Sequence, residues 1–542
     1  MASKTNSTVS VEKALKASWL PMLIIALAQI QMSFNVSAIP VSIGKIVEEF
    51  DTSPTTVSTA LVVYSLAVAG FVMLGAKVGK LLGARLAFQI GVIMHGLSMA
   101  LMALSANTTM IFQAQAISGL AAALIVPTLV VLIANHYRGA QQSQSLGLLG
   151  AAQAGAGVLA FLVVGVIGTV AGWRPSFWLI TVIAVVVFLL SFRFRPVERE
   201  KGVKIDWVGA LLAALSITLI SLGFNNIQAW GLLLAKPDAP ASVFGMSLSP
   251  IMIIIGVVLG QSFFAWAHRR QSQGKTPLLA LEVLDSPQER AATFCLFIIA
   301  ALGPAVNFLI PLYIQIVQGG TSLQTSVAVI PYSLAIFAAT ALVVRLFDRL
   351  TPRWIGRLGF IVVAAGLVLL AYTIRNDWGT PLVILSLIIV GLGEGALLTL
   401  VFNVLVSASP KELAGDVGAL RGTTNNLATG LGTALAAVIS VSVLSLIIVN
   451  TVVETPAIPP EIQDQLYLDN IDFVSNDQLD EVLEETDVTP AQEAAIISIN
   501  ELARLRALKI SFLILAGVAL LAIVPAGGLP DYLPGEIPAD KL

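Results

Sequence analysis

One carboxylate stands where a charge is expensive. Glu394 interrupts Val383–Ala408 (VILSLIIVGLGEGALLTLVFNVLVSA), an apolar run longer than the roughly 20 residues that cross a bilayer. An ionised side chain at that depth costs about 2.5–3.5 kcal/mol on insertion scales, so it faces a protein interior or a wet cavity and marks a proton- or substrate-binding position. Its neighbours Gly391, Gly393 and Gly395 let another helix or a ligand approach closely. The plain alternative is a protonated carboxyl that only hydrogen-bonds a neighbouring helix.

Neutral polar side chains at mid-span depth are the next candidates: Gln31, Asn35, Gln113, Gln115, Gln153, Asn307, Tyr313, Gln315, Asn403, Asn425 and Asn426. Gln31 and Asn35 lie four apart on one helix face, and Asn307, Pro311 and Gln315 repeat that spacing. Beside Phe34, Phe308 and Tyr332, they suit an amphipathic substrate of little or no charge. The competing reading is interhelical hydrogen bonding, worth about 0.6 kcal/mol each on average. His95 is the one group in this part of the chain with an ordinary pKa near neutrality, yet a lone His in an apolar helix more often serves packing. Arg421 is expected to snorkel to the interface unless packing brings it to Glu394.

Long apolar helices must carry these residues. The chain has 542 residues, 57% of them hydrophobic and only 11% charged, where an average soluble domain has about 25% charged. The fold class is therefore an all-α polytopic membrane protein. About fourteen apolar segments recur, from 19–43 to 506–527. The first is too long for a signal-peptide core and reads as a retained span. Lys and Arg cluster in alternate connections (Lys77, Lys80 and Arg85; Arg193, Arg195 and Arg199; Arg349, Arg353 and Arg357), and the intervening ones are basic-poor or acidic, as at Glu48-Glu49-Phe50-Asp51. By the positive-inside rule both termini are cytoplasmic, in a plasma (inner) membrane.

Charged linkers divide the chain into 1–205, an N-terminal six-helix bundle; 206–290, two inserted helices; and 291–542, a C-terminal six-helix bundle with an acidic extracytoplasmic loop at 451–505. Thr489-Pro490-Ala491-Gln492 resembles a capping box opening a helix that runs into the final span. The glycines of the fifth span, Gly147 to Gly168, fit close packing at a moving interface.

The same residues exclude other classes. A net charge of −2 without a basic excess gives no footprint for nucleic acid. One cysteine, Cys295, rules out internal disulfides and a thiolate-rich metal site. No phosphate-binding GxxxxGK[ST] loop, nucleophile elbow or His/Cys/Asp cluster occurs, so no enzyme activity, cofactor or metal is expected.

Several stretches resemble the major facilitator superfamily, in its fourteen-helix drug:proton antiporter branch. They are Pro311-Leu312-Tyr313-Ile314-Gln315 with Gly319 and Pro331, Gly172-Trp173-Arg174 with Phe177-Trp178, Asp206-Trp207-Val208-Gly209, and Leu346-Phe347-Asp348-Arg349 with Pro352-Arg353. The last looks like the C-terminal copy of the family's helix 2–3 motif, GxLaDRxGRR. The resemblance covers about 19 to 527 and implies a monomer of two bundles rocking about a central cavity, with Lys80, Arg85, Asp348 and Arg349 in conformational gating.

The departures fall in the first half. No Asp or Glu occurs from Thr52 to Val197, Lys80 takes the motif's acidic position, Gln115 takes the place of the fourth-span Arg, and Ala160-Phe161 replaces the fifth-span Gly-Pro. Amides and hydroxyls do not titrate near neutrality, so the usual coupling acids are missing there. The expected function is a secondary transporter, an exporter of a hydrophobic or amphipathic small molecule by alternating access, with proton coupling through Glu394. An uncoupled facilitator or lipid translocator of the same fold is the rival. A transporter-like sensor or partner-binding membrane protein is the third reading.

Overall fold

A computed structural model of the chain describes residues 18–532, apart from 138, 197–198, 200–203, 238, 344–345, 347–348, 377–380, 409–412 and, save 473, 479 and 483, the stretch 456–488. Among the described residues fourteen helices are long and apolar enough to cross a membrane. Spans 1–7 are Leu20–Val41, Pro54–Leu82, Ala84–Ala103, Thr108–His136, Gly139–Ala171, Arg174–Ser191 and Trp207–Asn225. Spans 8–14 are Leu248–Ser272, Pro287–Val317, Ser322–Val343, Pro352–Thr373, Pro381–Ala408, Ala414–Glu454 and Pro490–Leu521. With an even number of spans, the start of span 1 and the end of span 14 fall on one face of the bundle, the terminal face.

Local chemistry sets the helix ends. Ser53, Asn107 and Asp206 cap spans 2, 4 and 7, each accepting a backbone N–H from the first turn. Ser286 and Glu289 form a capping box at span 9, and Thr489 with Gln492 forms the expected one at span 14. That last helix is continuous from Pro490, so only residues 455–489 separate spans 13 and 14. Gly83 (φ +85°) and Gly172 (φ +78°) turn the chain between spans 2 and 3 and spans 5 and 6 with almost no loop, a conformation open to glycine. Beyond Pro311, span 9 ends in a π-helical turn, Leu312–Val317.

Small residues set how closely spans approach. A Cβ on Gly75 would lie 2.1 Å from Ala123 O, and one on Gly119 2.5 Å from Tyr64 O, so spans 2 and 4 meet backbone to backbone. Gly432 likewise docks span 13 on Ala301 of span 9, at 2.2 Å. Spans 7 and 8 interlock through Gly223 and Gly256, and span 7 rests on span 2 where Gly70 faces Ala214.

Two seams join spans 1–6 to spans 9–14: span 5 with span 10, and span 2 with span 13. On span 5, Gly150, Gly157 and Gly168 lie at spacings of seven and eleven, along one face. At Gly168 the nearest atoms are those of Ser322, at 3.7 Å; at Gly157, Ser333 lies at 3.6 Å; at Gly150 nothing lies within 4 Å. Among the described residues, the two spans touch far from the terminal face, and nothing faces Gly150 near it.

Candidate functional site

Glu394 lies midway along span 12 and is 7% exposed. Its carboxylate accepts a hydrogen bond from the Tyr332 hydroxyl of span 10. The other oxygen lies over Gly303 of span 9, where a Cβ would come within 2.1 Å of it. Asn307, one turn on, donates to Gly303 O at 3.1 Å and neighbours the Tyr332 hydroxyl.

The flanking glycines explain how the acid reaches its partner. Gly391 and Gly395 share one face, and a Cβ on them would meet Tyr332 O at 2.5 Å and Ile336 O at 2.3 Å. Gly393 points the other way, where a Cβ would meet Gly359 O of span 11 at 2.9 Å. Span 12 therefore docks on spans 10 and 11 at once, and that docking delivers Glu394 to Tyr332. Sequence reasoning places Tyr332 only among aromatic neighbours. Its one signal is a phenol directly after Pro331 in an apolar span.

A second polar cluster joins spans 1, 3 and 4. Gln31 hydrogen-bonds Nδ1 of His95 at 2.9 Å. Asn35 and Gln115 exchange side-chain hydrogen bonds at 2.9 and 3.1 Å, and Asn35 also donates to Ser118 at 3.3 Å. Gln31, Asn35, His95, Gln115 and Ser118 are all fully buried. The family's acid and arginine positions are thus occupied by amides that satisfy one another, while Gln31 Oε1 and His95 Nε2 have no partner among the described residues.

The remaining sequence candidates scatter. Gln315 accepts from Gly44 N at 2.9 Å and donates to Pro40 O, Val41 O and Thr325, tying span 9 to the end of span 1 and to span 10. Asn307 and Gln315 thus both reach span 10. The Tyr313 hydroxyl donates to Arg375 O and accepts from Gln318, closing the far end of span 9 onto the chain after span 11. Asn403 is exposed and donates to its own helix at Thr399 O, as Asn426 does at Gly422 O. Gln113 and Gln153 are exposed, and Asn425 is half-buried.

Of the gating set, Arg85 donates to Phe192 O at 3.1 Å and stacks on the Phe192 ring, within spans 1–6. It also lines a cavity of about 270 Å³ with Gln89 and Arg199. Lys80 and Arg349 are exposed on the terminal face. Asp348 lies outside the described residues. Arg421 forms no ion pair with Glu394. Instead its guanidinium carbon sits 4.0 Å from the centroid of the Phe402 ring on span 12, so stacking holds it along span 12 where a snorkelling side chain was expected.

On the face opposite the termini, Glu49 of the short helix Ile43–Phe50 accepts from Trp173 Nε1 at 2.8 Å and pairs with Arg174. Arg174 also donates to Ser105 O at 2.6 Å. Burial pushes the Glu49 carboxyl up, but hydrogen bonds from Arg174 and Trp173 and the Arg174 charge outweigh it, leaving the group below its ordinary value. The Gly-Trp-Arg stretch is thus a clamp. Asp206 ties the start of span 7 to the end of span 8 through Trp266, at 3.0 Å, and Arg270.

Fourteen spans, two seams and a buried acid between helices define a polytopic membrane transporter, a class that does no covalent chemistry. The chain belongs to the major facilitator superfamily, whose family model matches residues 25–433. It is 25% identical over 432 residues to the puromycin resistance protein pur8 of Streptomyces alboniger, covering 78% of this chain and 82% of that one. It is 23% identical over 439 residues to the multidrug efflux pump LfrA of Mycolicibacterium smegmatis, covering 80% and 83%. A solved bacterial homolog of the human lysosomal transporter Spinster, inward-facing and unoccupied, superposes with a TM-score of 0.59 at 14% identity, over 93% of this chain and 96% of that one. Fourteen spans and relatives in drug resistance and efflux agree with the fourteen-helix branch that the motifs resemble.

Proposed function

We propose that the protein exports a hydrophobic or amphipathic small molecule by alternating access, with Glu394 as the proton-exchanging group. The observation that carries the reading is the buried Glu394 carboxylate bonded to Tyr332 across spans 10 and 12. Gain or loss of a proton there changes what Tyr332 donates to, and so the free energy of packing those two spans. Residues 1–205 and 291–542 act as the two rocking bundles, and 206–290 contributes the inserted pair. The seam between spans 5 and 10, closed at Gly168 and open at Gly150, supports an arrangement open toward the terminal face. Lys77, Lys80, Arg85 and Arg349 lie on that face, and the positive-inside rule makes it cytoplasmic, with the protein in the plasma membrane as a monomer. Gln315, bonded to Gly44, acts as a latch on the outer side. Lys80, Arg85, Asp348 and Arg349 serve gating on the inner side. The amides Gln31, Asn35 and Gln115 shape the packing of the first bundle, and Asn307, Tyr313, Asn403 and Asn425 belong to the second.

The mutual pairing of Asn35 and Gln115 favours a second reading, an uncoupled facilitator or lipid translocator, because amides stand at the usual coupling positions and neither one titrates. Transport of a dye and lipid panel into proteoliposomes, with and without an imposed pH gradient, separates the two. In the coupled reading the gradient drives transport, and Glu394→Gln abolishes the gradient dependence while leaving downhill movement. Transport that ignores both the gradient and the substitution overturns it.

A further inference from the structure

Glu394 is committed to Tyr332. Arg421 is a charge without such a commitment. It is the eighth residue of span 13, about 10 Å along the helix from its start at 1.5 Å per residue. No hydrogen bond or ion pair holds it among the described residues. Its contact is the Phe402 ring, 4.0 Å from the guanidinium carbon to the centroid, a cation–π arrangement. A guanidinium held over a ring face keeps its N–H donors available for a ligand.

Among the described residues no carboxylate pairs with Arg421. Asp416, five residues earlier, accepts from Ala280 N at 3.0 Å. The sequence between Thr52 and Val197 holds no acid at all, so spans 2 to 6 across the seam offer none. Gly422, the next residue, faces Val72 of span 2 and Val126 of span 4, which puts this stretch of span 13 at the junction of the two groups of spans.

Space lies on the same side. Gly418, Arg421 and Asn425 stand at i, i+3 and i+7, one face of the helix. A Cβ on Gly418 meets nothing within 4 Å, and Arg421 and Asn425 are only half-buried. Along span 12, Phe402 stands eight residues beyond Glu394, about 12 Å nearer the terminal face. Between those levels span 12 leaves Ala396, Leu398 and Thr399 half-buried, while Leu397 and Leu400 pack against span 11.

We infer that Arg421, fixed over Phe402, binds the anionic head of an amphiphile whose apolar body extends along span 12 toward Glu394. The substrate class is then a monoanion with an aliphatic or aromatic tail, a carboxylate or a phosphate ester. An intramembrane guanidinium with free donors at an open face marks a pathway position and is ready to take the charge-assisted hydrogen bonds of such a ligand. The inference rests on the reading that the junction between the two groups of spans is the substrate path. Asn425, one turn beyond Arg421, is placed to add a hydrogen bond to the same head group.

Fluorescence polarisation with detergent-solubilised full-length protein tests it, using a dansyl-labelled twelve-carbon fatty acid, its methyl ester, and a quaternary ammonium of the same length. The wild type binds the acid at least tenfold more tightly than the ester or the ammonium. Arg421→Gln removes that preference and leaves ester binding unchanged, and Arg421→Lys restores part of it. Equal binding of the three probes by the wild type, or an Arg421→Gln variant that keeps the preference, overturns the inference, as does a wild type that binds none of them. Phe402→Leu, which keeps the cation and removes the stacking, weakens acid binding and guards against a folding defect peculiar to the Arg421 variants. Transport in proteoliposomes is read separately: acid that binds through Arg421 but does not cross leaves the site standing and removes the path.

Discussion

The contact between Glu394 and Tyr332 is best tested through Gly303, which touches neither backbone of the pair yet controls it. Alanine at 303 would put its Cβ 2.1 Å from Glu394 Oε1. The carboxyl must then withdraw by about 1.3 Å to reach the 3.4 Å of ordinary contact, and the tyrosine loses its acceptor. The magnitude depends on protonation. A neutral interhelical hydrogen bond in a membrane averages about 0.6 kcal/mol and reaches about 1.7. A bond to an ionised group is worth about 1.5–3 kcal/mol. Gly303→Ala and Tyr332→Phe each should destabilise the protein by an amount in that span, and the double variant by little more than either, because both remove one bond. The assay is a double-mutant cycle on unfolding in detergent micelles, repeated across a pH series. A coupling near 0.6 kcal/mol reports a neutral carboxyl and one near 2 kcal/mol a carboxylate, so a coupling that grows as pH rises locates the exchange of the proton. Additivity within about 0.5 kcal/mol at every pH would refute the contact and with it the proposed role of Glu394.

Four further outcomes follow from the same geometry. Replacing Asn35 or Gln115 alone by Leu strands its buried partner and should cost about 1–3 kcal/mol, whereas the double Leu variant should cost less than the two summed, as read from unfolding midpoints. Gly75→Ala, with its Cβ 2.1 Å from a backbone carbonyl, should prevent spans 2 and 4 from docking, while Gly150→Ala, with nothing within 4 Å, should be tolerated or gain about 0.5–1 kcal/mol; yields of folded protein in membranes distinguish them. Because Glu49 lies below its ordinary value of 4.5 in the folded protein, its clamp is fully present above that pH and weakens as pH falls below it; Glu49→Gln should remove this acid dependence from the unfolding profile. Gln315→Ala should raise labelling of a cysteine placed at the neighbouring buried Ser42 by a membrane-impermeant thiol reagent added outside, and unchanged labelling would contradict the latch.

Much of the architecture was legible before any tertiary structure. A hydropathy pattern is local, and a helix must satisfy its own backbone in lipid, so the fourteen spans follow from runs of apolar residues. The Thr489 capping box was readable for the same reason, since its atoms lie within one turn. The depth of Glu394 was equally a matter of counting along the span. Arg421 was harder, because snorkelling and stacking begin from the same sequence position and differ only in what the neighbouring helix presents.

The sequence by itself determined how many helices cross, where a carboxylate is stranded among apolar residues, and that the first group of spans lacks an acid. The tertiary structure alone decided which polar atoms meet. Glu394 and Tyr332 are 62 residues apart, Gln31 and His95 64, and Gly44 and Gln315 271. Each pairing depends on the rotation and depth of one helix against another. Those are set by glycines such as Gly391, Gly395 and Gly432 at the points of contact, where van der Waals fit drives association because lipid offers apolar surfaces no hydrophobic penalty to escape. A single strand of text records that a glycine is present. It does not record which helix will lie against it.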